Sequence, residues 1–376
     1  MKVGVPREAK PFEYRVAIVP DGVEQLVARG HQVMVQAGAG RDSGIDDDDY
    51  RTAGASIVPD AAAVYGLADM IMKVKEPQPA EYPLLRKGQI LYAFFHFAAS
   101  RGLAEAVMRA GCVAIAWETM RSPDRRLPIL TPMSEVAGKM SVQEGAKYLE
   151  QPMMGRGILL GGVPGVEPAE VVVVGGGTVG SNAAGIAAGM GARVTILDIN
   201  LDRLRYLDEV MPRNVATLFC NAHNLRRKLR TADLAIGAVL VEGARAPVVV
   251  TVEMVMSMKR GSVIVDVAID QGGCVATSRP TTHGEPTYVV HDVIHYCVAN
   301  MPGAVAHTST FALANVTIGP AVAIADKGWR RAAADSPLIL TGLNICTGRV
   351  TNRAVAETFG LEFVDPAAAL SETPNV

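Results

Sequence analysis

The chain contains no CxxC pair. Its five cysteines (Cys112, Cys220, Cys274, Cys297 and Cys346) are scattered along 376 residues. That distribution excludes a disulfide framework, argues against a structural zinc site and fits a reduced, cytoplasmic protein. An excess of charge of either sign is also missing. Lys+Arg number 36 and Asp+Glu 38, for a formal net charge of -2. Nothing in that balance asks for nucleic acid or an anionic membrane surface as a partner. The N-terminus, MKVGVPREAK, has no apolar signal core. No run approaches the roughly 20 apolar residues that a membrane span needs. Short-period repeats and low-complexity linkers are absent as well.

What is present is a globular composition with one informative segment. The length suggests about two domains, and 49% apolar residues allow a sizeable core. From Val171 the chain reads VVVVGGGTVG. Four β-branched residues run into Gly175-x-Gly177-x-x-Gly180, a small-residue helix follows, and the next apolar run, RVTILD, ends in Asp198. Strand, glycine turn, helix, strand and acid in this order form a dinucleotide fingerprint. Gly175 permits the tight turn, Gly177 lets a pyrophosphate approach the backbone, and Gly180 lets helix pack on strand. The helix N-terminus offers N–H donors and the positive end of a dipole. A carboxylate at Asp198 reads ribose hydroxyls and repels a 2′-phosphate, so NAD is expected over NADP. The bland alternative is a tight turn in another α/β protein, with Asp198 as a helix cap.

Strand and helix signals alternate before the fingerprint. KVGVP, HQVMVQAG, SIV, DMIMKVK, QILYAFFHFA and CVAIAWET read as strands. DGVEQLVARG, closed by Gly30, AAAVYGLA and LAEAVMRAG read as helices. The pattern predicts an α/β protein of two Rossmann-like, doubly wound domains with parallel sheets, separated by a cleft and joined by long helices. PMSEVAGKMSVQEGAKYLEQ is the expected connector, with Ser134 as its N-cap. The long apolar pattern after Pro302 crosses back, making the first domain discontinuous. The expected division is 1–130 plus 305–376 for the substrate domain and 131–304 for the dinucleotide domain.

Ligands in open α/β sheets bind beyond the carboxyl ends of strands. That rule selects Lys75, His96, Asp270 and Asn300, each at or near the end of an apolar strand, and Arg15 joins them after the bend REAKPFEY. Two cations, an imidazole and a carboxylate suit a small carboxylic acid undergoing proton transfer. Each has an ordinary reading: Arg15 and Lys75 as surface charges, His96 as a hydrogen-bonded structural residue, Asp270 as a turn cap. Phe95 and Phe97, alternating with His96 along a strand, are expected to face away from it. Asp266 is expected mid-strand in a structural contact. His291 and His295, at i, i+4, are read as core or surface imidazoles, and no metal site is predicted.

The motifs VPREAKPFEYRVAIVPDGV, VKEP, PMSEVAGKMSVQEGA, GGGTVGSNAA, VDVAIDQGGC and HYCVANMPGAVAHTSTFALAN together closely resemble the L-alanine dehydrogenases. The resemblance runs nearly the whole chain, in order. It implies reversible oxidation of L-alanine by NAD and water to pyruvate, ammonium and NADH. Arg15 and Lys75 are implied to hold substrate, and His96 and Asp270 to be catalytic. The implied cofactor contacts are Ser134, Thr178, Val179, Asp198, Arg203, Val239, Leu240, Arg279, Val298, Asn300 and Met301. A homohexamer is implied too. Cys220 stands where the family often has serine. Ala323 and Lys327 replace the acid and histidine that hold a divalent ion in some members. The alternatives are a transhydrogenase subunit that works with a membrane partner, an amino-acid dehydrogenase with another small substrate, and a non-catalytic NAD-binding protein on the same fold.

Overall fold

The computed structural model describes residues 1–239 and 246–371. Leu240 lies outside the described residues. The chain divides into two compact units, Met1–Met133 with Gly303–Val376, and Ser134–Pro302.

The first unit holds an eight-stranded sheet. Six strands come from the N-terminal part: β1 (Lys2–Val5), β2 (Gln32–Gln36), β3 (Ser56–Val58), β4 (Met70–Met72), β5 (Ile90–Ala93) and β6 (Val113–Ala116). The second unit holds seven: β7 (Glu170–Val174), β8 (Arg193–Asp198), β9 (Val215–Phe219), β10 (Leu234–Gly237), β11 (Val263–Asp266), β12 (Thr287–Val290) and β13 (Val293–Tyr296). The returning chain adds β14 (Leu343–Cys346) and β15 (Arg349–Val350) to the first sheet.

The two sheets share one logic. The first runs β15-β14-β6-β5-β4-β1-β2-β3 and the second β12-β13-β11-β10-β7-β8-β9. In each, the first strand of the unit lies centrally and the fourth pairs on its other side, so winding reverses between β1 and β4 and between β7 and β10. Such reversals open a crevice at the strand carboxyl ends. The sheets are not wholly parallel: β14 pairs antiparallel with β6 and β15, and β12 with β13. The β12–β13 and β14–β15 pairs are each joined by a tight turn, which only antiparallel neighbours can use.

Val171 to Val174 are all buried, as a parallel strand covered on both faces demands. Several expected strands end early. β4 stops at Met72 and β5 at Ala93, and 3₁₀ turns follow β5 and β6 at Phe97–Ala99 and Trp117–Thr119. Helix Pro20–Val27 is capped by Ala28, not Gly30, which takes φ +82 in the turn beyond. The connector helix spans Thr131–Tyr148, starting earlier than expected because Pro132 suits a first turn. Ser134 is therefore inside the helix and is not its N-cap.

Among the described residues one helix, Met301–Asp335, is long and apolar enough to cross a membrane. It is the long apolar pattern expected after Pro302. Half of its most apolar window is buried. Leu313, Ala321 and Ile324 are in the core, Val16 N–H donates to Thr310 Oγ1 at 3.1 Å, and the Tyr92 hydroxyl donates to the Thr317 carbonyl at 3.1 Å. Its apolar character thus serves the core of the first unit.

Candidate functional site

The first unit carries three of the candidates, each on the segment that follows one of its strands. Arg15 follows β1, Lys75 follows β4 and His96 follows β5. Arg15 is not a surface charge: it is 2% exposed. Its Nε and Nη2 each donate to a Glu13 carboxylate oxygen at 2.6 Å, a two-pronged pair, and Nη1 lies 3.0 Å from Met133 Sδ. The paired carboxylate compensates the buried guanidinium and fixes its plane.

Lys75 is half-buried, beside a more deeply buried neighbour that the strand-end rule did not single out. Lys73 is 1% exposed and meets Glu81 Oε1 at 3.0 Å and Glu8 Oε2 at 3.4 Å. The Tyr65 hydroxyl also donates to Glu81, at 3.1 Å. Glu8 in turn accepts the Val74 N–H at 2.6 Å and the Lys75 N–H at 3.4 Å. The strand-end backbone that carries Lys75 therefore rests on a buried carboxylate. Burial pushes the Glu8 carboxyl up to about 7, against the opposing pull of Lys73. Burial alone would lower the Lys73 ammonium, but the Glu8 and Glu81 charges outweigh it and raise it.

His96 does not sit on a strand. Its backbone is left-handed, φ 50 and ψ 46, at the entry to the 3₁₀ turn Phe97–Ala99. Phe95 and Phe97 are buried and stack on each other at 4.6 Å, while His96 is exposed. The expected opposition of His96 to its flanking phenylalanines is present, produced by the turn and not by strand alternation. The His96 ring stacks on Phe94 at 6.0 Å and borders a cavity of about 350 Å³ with Lys10, Glu76, Tyr82 and Ser100.

In the second unit the glycine turn has the geometry its sequence demands. Gly175 has φ +105, and a Cβ there would meet the Ala238 carbonyl oxygen at 2.5 Å. At Gly180 a Cβ would meet the Gly175 carbonyl oxygen at 1.8 Å, whereas at Gly177 nothing lies within 4 Å. Helix Thr178–Gly189 begins there with no side chain capping its N–H groups. Open space over Gly177 before uncapped N–H donors fits a dinucleotide pyrophosphate. The connector helix packs on this turn, since a Cβ at Gly138 would meet the Val179 carbonyl oxygen at 2.3 Å.

Asp198 ends β8. Its Oδ2 accepts the Gly176 N–H at 2.6 Å and its Oδ1 the Asn200 N–H at 2.8 Å. The cap of the next helix is Asn200, whose side chain accepts from Asp202 and Arg203 N–H, so Asp198 is not the cap. Arg203 Nε donates to the Gly176 carbonyl at 2.6 Å. Thr178 is exposed, Ser134 and Val239 are half-buried, and Val298 and Met301 are buried. The exposed Arg279 lays its guanidinium over the Tyr288 ring at 4.2 Å.

Asp266 is the last residue of β11, not mid-strand, and is fully buried. It accepts N–H bonds from Ala268 at 3.1 Å, Cys274 at 3.0 Å and Val275 at 3.2 Å. Burial raises its carboxyl, against these donors and Ser278. The loop closed around it carries Asp270, which stands exposed in the 3₁₀ turn Val267–Gln271. Asp270 Oδ1 accepts the N–H of Asn300, itself left-handed at φ 62, at 3.1 Å. His295 is buried on β13, hydrogen-bonded to Thr277 Oγ1 at 2.7 Å and the Val293 carbonyl at 2.9 Å.

Two α/β units, one of them carrying a dinucleotide-type glycine turn, are the architecture of a dehydrogenase. The chain belongs to the alanine dehydrogenase/PNT family, matching its N-terminal domain over residues 4–137 and its C-terminal domain over 141–353. It is 53% identical to the alanine dehydrogenase of Halomonas elongata, over 98% of this chain and all of that one. It is 52% identical to the alanine dehydrogenase of Bacillus subtilis, over 100% of this chain and 99% of that one. A solved L-alanine dehydrogenase superposes with TM-score 0.93 at 49% identity, over 96% of this chain and 99% of that one. A transhydrogenase from Sinorhizobium meliloti superposes with TM-score 0.80 at 26% identity, over 94% of this chain and 100% of that one.

Proposed function

We propose that this chain is an NAD-dependent L-alanine dehydrogenase, which interconverts L-alanine with pyruvate and ammonium. The observation that carries the reading is full-length identity of about one half to alanine dehydrogenases of three distant microbes. The placement of Arg15, Lys75 and His96 after β1, β4 and β5 supports it. The transhydrogenase reading has a lower-identity structural match behind it and needs no amino-acid site.

The Gly175–Gly180 turn and Asp198 would hold the dinucleotide, with Ser134, Thr178, Val179, Arg203, Val239, Leu240, Arg279, Val298, Asn300 and Met301 as further contacts. When bound, the nicotinamide accepts the hydride from the substrate Cα. Arg15, held planar by Glu13, grips the substrate carboxylate, and Lys75 polarises the carbonyl oxygen. Asp270 takes the proton of the water that adds to the imine carbon. His96 moves a proton as the resulting carbinolamine collapses to ketone and ammonia. A homohexamer in the cytoplasm, acting in L-alanine catabolism, completes the proposal; light scattering tests the first of these. The activity is tested by a screen of L-amino acids against NAD and NADP, read by nicotinamide absorbance. Reduction of NAD with L-alanine supports the reading, and its absence with every amino acid favours a binding protein.

A further inference from the structure

We propose that Glu118 is a positioning residue for His96, holding its backbone in the left-handed conformation that turns the imidazole out of the core. This rests on the reading of His96 as a proton-handling group.

The argument begins with the sheet register. β5 and β6 run parallel with Ala93 opposite Ala116, so two residues on Phe95 stands level with Glu118. Both strands have ended by then, and the N–H groups of Phe95 and His96 have lost the carbonyls that a longer β6 would offer. The Glu118 carboxylate takes their place. It accepts the His96 N–H at 2.6 Å and the Phe95 N–H at 3.2 Å and 3.3 Å, one to each oxygen. A side chain thus stands in for a strand at the point where the chain must leave the sheet.

The second observation is the backbone angle. His96 has φ 50, a region that L-residues with side chains enter sparingly. Three restraints hold it there: Glu118 on its N–H, the bond from Ala99 N–H to its carbonyl at 2.9 Å, and the burial of Phe95 and Phe97 on either side. The phenylalanines fix where the backbone runs. Among the described residues only Glu118 engages these amide nitrogens directly, with charge-assisted bonds. Remove that carboxylate and the N–H groups lose their acceptor, so the peptide is free to leave positive φ and the ring swings with it.

The test is a double-mutant cycle with a structural control. Glu118→Gln and Glu118→Ala are made in the native protein and in His96→Ala. Turnover of Glu118→Ala in the native background is expected to fall at least about tenfold, since a misplacement of about 1 Å costs about 10²-fold, and that of Glu118→Gln, which keeps one acceptor oxygen, to fall less. KM for NAD is expected to hold. In the His96→Ala background the same changes are expected to leave the residual rate within about twofold. Equal losses in both backgrounds, or none in the native one, overturn the proposal. Full activity in His96→Ala alone overturns the reading of His96. In that event a crystal structure of Glu118→Ala decides: His96 still at positive φ with its ring unmoved contradicts the positioning role. Glu118→Leu, which keeps bulk and removes both acceptor oxygens, serves if Glu118→Ala does not fold.

Discussion

Asp198 and Gly176 are joined by a 2.6 Å hydrogen bond from the Gly176 N–H to the carboxylate Oδ2. The acid that is expected to read the ribose is also the one that ties the glycine turn to the end of β8. Asp198→Ala removes both the repulsion of a 2′-phosphate and this tie. The kcat/KM ratio for NADP over NAD is expected to rise by about 10-fold or more, from loss of one charged contact worth about 1.5–3 kcal/mol. Steady-state assays with both nucleotides measure it, and an unchanged ratio removes Asp198 from cofactor choice.

Gly177 and Gly180 have opposite reasons for lacking a side chain. Gly180→Ala places a Cβ against the Gly175 carbonyl and is expected to cost about 3 kcal/mol or more. Gly177→Ala enters open space with an ordinary φ of -67 and is expected to change stability by about 1 kcal/mol or less. It is nonetheless expected to weaken NADH binding, because the methyl occupies the pyrophosphate approach. Urea denaturation and NADH fluorescence titration separate the two effects.

Glu8 makes stability depend on pH in a defined direction. Its folded value, about 7, lies above the ordinary 4.5. The folded protein therefore holds a proton that the unfolded chain releases first. Stability from this group is full below pH 4.5, is lost as pH rises toward 7 and is flat above. Relative to Glu8→Gln, the native protein is expected to lose up to about 3 kcal/mol across that window. Denaturant titrations of both proteins at several pH values measure the difference, and parallel profiles contradict it.

Much of this was legible in the sequence. The fingerprint is local: β-branched run, glycines and acid are contiguous, and each has one physical job. The strand-end rule also led to Lys75 and His96, which lie just beyond β4 and β5. What stayed hidden depends on contacts distant in the chain. Glu8 lies 66 residues from Val74, and Glu118 lies 22 from His96. No periodicity marks such pairs. The strand ends were misread for a related reason: apolar runs such as YAFFHF continue after the ladder stops, because a turn can bury phenylalanines as well as a strand can. The helix Ala306–Asp335 was legible as a long apolar pattern after Pro302, since its threonines and asparagine interrupt the run without breaking the period.

Asp270→Asn keeps an oxygen to accept the Asn300 N–H and so keeps the local backbone. Turnover is expected to fall by about 10²–10⁴-fold, with NADH affinity unchanged. Retained turnover removes Asp270 as the base.

The most direct test of the account supplies purified protein with L-alanine and either NAD or NADP and follows nicotinamide absorbance. The account predicts L-alanine-dependent reduction of NAD, much slower reduction of NADP, and the reverse reaction with pyruvate, ammonium and NADH. No reduction of NAD by L-alanine, from protein that binds NADH, would contradict it.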